Sequence, residues 1–382
     1  MPQTIVERLQ ATGIRRLGSK QSGFRYRLPD GRPAGAPERE RIDSLRIPPA
    51  WRQVAIHPSP HGAVQAVGLD AAGRWQYRYH ASQVERRERA RRERIIRFTE
   101  ALPRIRRVVA RDLDRPGIPR EKVLAGILRV LSTCFLRPGS ESYAEENGTY
   151  GIATLEPRHV SVRGEVVRFD FQGKSGKRQT SELRDRRLAR LLRELLRYPG
   201  EVFKYRNDRG ELRDVRRGHI NAYIKANMGE AFSAKDFRTW AGSLLCACAL
   251  ARTEPVPGDS KTAIRRQITA AIREVAGNLG NTPAVCRSSY VLPDIVKSYE
   301  RGTVIDNSLQ HAGELAESSV RKIELAEKAL LRLLLADRSN GKRNGSAAAI
   351  SRAPIVSARP RRRLRGIQPL RRPESGRAAI PA

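Results

Sequence analysis

The period of the apolar pattern changes near residue 88, and this change confines the chain to folds in which a β domain precedes a helical one. Up to that point the apolar runs are short and broken by Gly and Pro. VAIHPSP, AVQAVGLD and RWQYRYH read as strands, with DAAGR as a hairpin connection. ASQVERRERARRERIIRFTEALPRIRRVVARDL then reads as a helix dense in Arg, placed to connect two lobes. From about residue 118 the rhythm is helical. Val123, Ile127, Val130, Leu131 and Cys134 recur at three-to-four spacing, and the RPG at 137–139 is expected to end their helix. Around Val167, Phe169 and Phe171 the pattern returns to alternation, as on a half-buried strand of a small sheet. SELRDRRLARLLRELLRYPG and SAKDFRTWAGSLLCACAL follow as amphipathic helices. Ser233 is the expected N-cap of the second, with Arg238 beside its apolar face. TPAVCRSSYV restarts a helix with Thr282 as N-cap and Pro283 at the first position.

The expectation is therefore an α+β protein. A small, mostly β N-terminal domain spans 1–88, although the fold of its first forty or so residues stays open. A mainly α domain with a small β-sheet spans 89–337. Residues 338–382 carry one acid, many arginines and no periodicity, and read as a disordered basic tail.

Charge narrows the function classes. Lys and Arg total 74 against 40 acids, a formal charge of +34. Such an excess repels itself in a compact body unless a polyanion neutralises it, and a basic face gains free energy from counterion release on phosphates. Nucleic acid is the expected partner. No apolar run approaches the ~20 residues a membrane span needs, and MPQTIVERLQATGIRRLGSK lacks the apolar centre of a signal peptide. The expectation is a cytoplasmic protein associated with the nucleoid. Cys134, Cys246, Cys248 and Cys286 lack CxxC spacing and read as reduced core thiols.

Several chemistries are set aside. Gly173-Lys174-Ser175 resembles the end of a phosphate-binding loop, but Arg168 stands where the earlier Gly is needed, and the segment reads as a hairpin. The histidines are scattered, and neither HExxH nor a clustered acidic set is present, so no metal site is expected. The GxSxG elbow is absent. What this basic chain can assemble is phosphoryl transfer on its own cations. Guanidinium forks suit the nonbridging oxygens of the transition state. A lysine among other cations suits protonation of a leaving 5′ oxygen, and a tyrosine suits a reversible ester.

The residues that make this specific occur in order. Arg137 lies in RPGSESYAEENGTYGIATL, Lys174 in DFQGKSGK, Arg238 in KDFRTWAG, and Asn281 and Tyr290 in GNTPAVCRSSYV, nine residues apart. Order and spacing together resemble the type IB DNA topoisomerases of the small poxvirus and bacterial kind, from roughly residue 45 to 305. The resemblance implies that family's fold, shared with tyrosine recombinases. It implies that Tyr290 attacks a phosphodiester and becomes linked to the 3′ phosphate. Arg137 and Arg238 would grip the scissile phosphate, Arg137 also assisting proton transfer, and Lys174 would protonate the 5′ oxygen. The family often carries His where Asn281 stands. An amide still donates a neutral hydrogen bond but cannot become cationic, so a flatter pH response is expected from that position. Gln76, Tyr77 and Tyr79 resemble the DNA-contacting segment of the family's N-terminal domain, and Tyr143 and Lys235 lie beside catalytic motifs as expected phosphate contacts.

The implied cycle is a clamp on double-stranded DNA, a nick by Tyr290, swivelling of the free end, and resealing. It uses no ATP, no metal and no small-molecule cofactor, and a monomer suffices because one chain carries every part. Two alternatives stand beside it. A tyrosine recombinase usually has His-x-x-Arg where this chain has Lys235-Asp236-Phe237-Arg238. A non-catalytic architectural DNA-binding protein would explain the charge but not the ordered motifs.

Overall fold

The computed structural model describes residues 3–253, 260–306, 320–340 and 356–357, and the chain divides into two compact units. The first comprises Met1–Glu85 with Ala349–Ala382, the second Arg86–Ala348.

The first unit is built on an antiparallel sheet. Its strands are β1 (Ile14–Ser19), β2 (Gly23–Arg27), β3 (Arg52–Ile56), β4 (Val64–Leu69), β5 (Trp75–Tyr79) and a short β11 (Val356–Ser357), in the order β11-β5-β4-β3-β1-β2. Helix α1 (Ile5–Thr12) is started by a capping box between Thr4 and Glu7, and α2 (Ala36–Ser44) follows β2. The sheet buries side chains on both faces. Val54 and Ile56 join Ile14, Ile42 of α2 and Trp51 in one apolar cluster, while Ala55 joins Leu9 of α1 and Val67 in another. Two-sided burial explains why Val54, Ala55 and Ile56 of β3 are apolar in succession and do not alternate with polar residues. DAAGR is the β4–β5 hairpin loop, with Asp70 accepting from the backbone of Ala72 and Arg74.

In the second unit, α3 (Ala81–Leu113) enters from the first and buries Ile95, Phe98, Leu102 and Ile105. Helix α4 (Arg120–Thr133) is buried along most of its length. After α5 (Glu141–Asn147) comes a three-stranded antiparallel sheet, β6 (Val160–Arg163), β7 (Val166–Gln172) and β8 (Arg178–Arg184). Val167, Phe169 and Phe171 point inward from β7, as their alternation predicts. Helix α6 (Arg186–Leu195) is capped by Asp185, so the SELR that reads as helix belongs to β8. A small hairpin, β9 (Lys204–Arg206) and β10 (Leu212–Asp214), leads to α7 (Arg217–Met228). Then come α8 (Ala234–Ala251), α9 (Lys261–Asn278), α10 (Pro283–Ser289), α11 (Pro293–Glu300) and α12 (Val320–Asn340).

Two further expectations are corrected. Helix α4 stops at Thr133, well before Pro138, because Phe135 takes a left-handed backbone (φ 54°) that no helix continues. Helix α8 is not amphipathic: nearly every side chain is buried, because it runs through the centre of the unit with Trp240, Leu244 and Cys246 fully enclosed. The segment from 338 begins as the last turn of α12, and Val356–Ser357 pair with β5; the rest of the expected disordered tail lies outside the described residues. All four cysteines are buried and none forms a disulfide. Among the described residues no helix is long and apolar enough to cross a membrane.

Candidate active site

Helix α8 sets the centre of the site. Its N-terminus is fixed by Asp236, whose carboxylate accepts from the backbone N and hydroxyl of Ser233 and from both forks of Arg94 on α3. One turn in, Arg238 is 2% exposed. Its Nη1 donates to the carbonyl of Phe135 and its Nη2 to that of Leu279 at 2.7 Å. The left-handed turn at Phe135 thus aims a carbonyl at a buried guanidinium. These two bonds hold the Arg238 fork while its Nε remains buried without a partner.

Tyr290 packs against the next turn of the same helix. It ends α10, which starts as expected with Thr282 as N-cap and Pro283 following. The Arg238 guanidinium carbon sits 4.9 Å from the Tyr290 ring centroid. One turn further along α8, Ser243 donates from its hydroxyl to the Tyr290 carbonyl at 3.1 Å. Gly242 leaves room for that backbone, since a Cβ there would stand 2.9 Å from the Tyr290 carbonyl oxygen.

Arg137 arrives from the segment after α4. Its carbonyl accepts from Ile152 N at 2.8 Å, and Gly139 and Gly151 press together so closely that a Cβ on Gly151 would lie 2.8 Å from that carbonyl. Its Nη2 donates to Asn281 Oδ1 at 2.5 Å. Asn281 is itself tied back by its N–H to Ala276 O, and its Nδ2 is buried with no partner. The site therefore presents two buried donors without acceptors, Arg238 Nε and Asn281 Nδ2. Buried donors are nearly always paired in folded proteins, so an anion is the natural complement.

The electrostatics follow from this packing. Burial raises the Tyr290 phenol, but Arg238, Arg137 and Lys235 outweigh it and hold the hydroxyl below the ordinary tyrosine value. Burial, aided by Arg238, brings Arg137 down to about 10, with Tyr290 pulling the other way. Lys235 is exposed on the first turn of α8 and acts on Tyr290 through its charge.

Lys174 stands apart from this cluster. It is exposed at the β7–β8 tip, where Ser175 (φ 62°) and Gly176 (φ 71°) both take left-handed backbone. The hairpin is nonetheless docked beside the site, because the Gln179 amide packs on Gly280, next to Asn281. In the first unit, Tyr77 and Tyr79 share one face with rings stacked 6.0 Å apart, as alternation predicts. Gln76 faces the other way, is 4% exposed and donates to Asp70 Oδ2 at 2.7 Å. The Tyr143 side chain lies outside the described residues.

Sequence reading missed Gly242 and Ser243. The signal was a glycine inside an otherwise apolar helix, which marks close approach of another backbone.

The site's residues fall within a segment, 81–310, that matches the family described as eukaryotic DNA topoisomerase I, catalytic core. Residues 23–70 match the bacterial DNA topoisomerase IB N-terminal domain. The chain is 30% identical over 294 residues to DNA topoisomerase 1B of Acanthamoeba polyphaga mimivirus, covering 75% of this chain and 88% of the viral one. It is 22% identical over 281 residues to DNA topoisomerase 1B of vaccinia virus (strain Copenhagen), covering 71% and 84%. With both of its regions matched and the viral relatives covered nearly end to end, the chain belongs to the type IB DNA topoisomerase family and is an enzyme of that class.

Proposed function

We propose that the protein relaxes supercoiled duplex DNA by cutting one strand through Tyr290 and resealing it, without ATP or a required metal. The observation that carries this reading is the Tyr290 hydroxyl set among Arg238, Arg137 and Lys235, beside two buried donors that have no acceptor. The phenolate oxygen attacks phosphorus, the bond from phosphorus to the 5′ oxygen breaks, and a 3′-phosphotyrosyl ester forms. Its energy is retained, so the 5′ hydroxyl reverses the step once the strand has swivelled. Arg137 and Arg238 balance the charge on the nonbridging oxygens, with Asn281 Nδ2 as a neutral donor. Lys174, at a docked hairpin tip with free reach, protonates the departing 5′ oxygen. The stacked Tyr77 and Tyr79 face, with Lys235, contacts the duplex, and the first unit acts as a clamp. The enzyme works as a monomer in the nucleoid.

The test is relaxation of supercoiled plasmid with EDTA present and ATP absent, the parent against Tyr290→Phe. Relaxation and a covalent 3′ adduct by the parent alone support the reading. Relaxation by both would remove Tyr290 from the mechanism. Binding by both with relaxation by neither would favour an architectural protein, and joining of two different duplexes by the parent would favour a recombinase.

A further inference from the structure

Two neighbouring turns of α3 grip the elements that carry the site. Arg94 forks onto Asp236 at the start of α8, Arg92 pairs with Asp294 at the start of α11 at 2.8 Å, and Glu88 faces Lys297 of α11. Between them, Arg91 Nη1 donates to the carbonyl of Ser288 at 3.1 Å, in the last turn of α10 and two residues before Tyr290. A cation on those carbonyls is favoured by their unsatisfied lone pairs and by the helix dipole. The Arg91 Nη2 is buried and has no hydrogen-bond partner. No motif marks this arginine, which in the sequence is one of many in ERRERARRER.

We propose that Arg91 is a positioning residue for the nucleophile: its bond to Ser288 fixes the last turn of α10 and holds a half-buried cation close enough to act on the Tyr290 hydroxyl. The inference rests on Tyr290 being the nucleophile. Burial disfavours the Arg91 cation, and Glu88, Asp294, Tyr290 and Cys286 act to retain it. The groups facing Tyr290 are Arg238 and Lys235 from α8, Arg137 from the segment after α4, and Arg91 from α3. Those facing Arg91 include the acids Glu88 and Asp294, which temper its field without being bonded to its free Nη2. Arg91 thus acts from the connector helix, whereas Arg137 and Arg238 belong to the cluster around the tyrosine hydroxyl.

The test uses the full chain labelled with 13C at tyrosine Cζ, the Tyr290 signal being identified by its loss in Tyr290→Phe. In Arg91→Gln the Tyr290 titration is expected to move up by roughly half a pH unit, about a threefold loss of phenolate at a fixed pH below it. Single-turnover cleavage of a duplex is expected to fall further, about tenfold, because the last turn of α10 is released as well. Arg91→Lys keeps charge without the fork, so it should hold the titration near the parent and recover part of the rate. An unmoved titration in Arg91→Gln, even with a lower Tm, would overturn the proposal and leave Arg91 a structural tie. Should Arg91→Gln fail to fold, a titration in Arg91→Lys raised above the parent would overturn it equally. A titration that moves while the parent forms no covalent adduct would keep the Arg91 assignment and reject the cleavage reading instead.

Discussion

Gly242 and Tyr290 touch backbone to backbone: a Cβ on Gly242 would lie 2.9 Å from both the Cβ and the carbonyl oxygen of Tyr290. Arg238, one turn earlier on the same helix, lies against the Tyr290 ring. A single rigid helix therefore sets both the seat of the tyrosine and the cation beside it.

Gly242→Ala tests that seat. Alanine favours the helix by roughly 1 kcal/mol, while the overpacked contact costs about 1–3 kcal/mol. The two effects largely offset each other in stability, so Tm should change little. The tyrosine must still move aside, and cleavage should fall by up to about a hundredfold, since a displacement of about 1 Å has that effect. Thermal melting and single-turnover cleavage on one preparation separate the two. A parent-like rate would show that Tyr290 is not held by this contact.

Arg238→Lys keeps the charge and removes the fork. The carbonyls of Phe135 and Leu279 then compete for one ammonium, and each carbonyl left buried and unpaired costs about 1–3 kcal/mol. Both a lower Tm and a cleavage loss of roughly a hundredfold or more are expected. A variant as stable as the parent would mean that these two carbonyls are satisfied without the guanidinium.

How far the site was legible in the sequence follows from what each residue depends on. Arg137, Arg238, Asn281 and Tyr290 stood out because each sits in a short motif, and the fold class followed from the change of apolar period. The left-handed turn at Phe135 was hidden, because its reason is a bond to Arg238 about a hundred residues away. The complete burial of α8 was hidden too. Periodicity reports one apolar face, and KDFRTWAGSLLCACAL keeps enough polar residues to look two-sided. Gln76 shows the same limit: a strand register places it on a face, but its bond to Asp70 comes from a hairpin loop that register does not describe.

Asn281→Asp is nearly isosteric. It keeps an oxygen for Arg137 Nη2 and replaces the unpartnered Nδ2 donor with a negative charge. Near a scissile phosphate that change removes a donor and adds repulsion, so cleavage should drop by about a hundredfold or more. Folding should be unimpaired, because a carboxylate beside Arg137 is better paired than an amide. In contrast, Asn281→His should introduce a rate change between about pH 5 and 8 that the parent lacks. A parent-like cleavage rate in Asn281→Asp would exclude the amide nitrogen from phosphate contact.

The depressed Tyr290 hydroxyl fixes the sign of the pH response. Its phenolate grows as pH rises towards a value below the ordinary tyrosine one, so cleavage should rise with pH and level off before about pH 10. Arg137→Ala removes one of the cations that outweigh burial, and the rising limb should move to higher pH as well as lower rate. A limb that stays in place would assign the depression to the other cations facing Tyr290, Arg238, Lys235 and Arg91.

The basic tail is best tested with two truncations. A cut after residue 337 would remove the last turn of α12, a helix whose Glu327 pairs with Arg106 at 2.6 Å and whose Leu330 and Leu334 are fully buried. A cut after Asn340 spares that helix. A cut after Ser357 also spares β11, which pairs with β5 at Gln76 and Tyr77, and removes only residues 358–382 with their arginine cluster from Arg359 to Arg365. If those arginines reach phosphates, the slope of log K against log salt falls by about 0.9 for each phosphate they neutralise, and the fall is already present in the shorter deletion. If the slope changes only in the longer deletion, the tail acts through residues 341–357, by the sheet edge beside Tyr77 or by Lys342, Arg343 and Arg352, and not through the arginine cluster. Equal slopes in all three proteins would remove the tail from DNA binding altogether, leaving the first unit and the basic helices of the second to supply it.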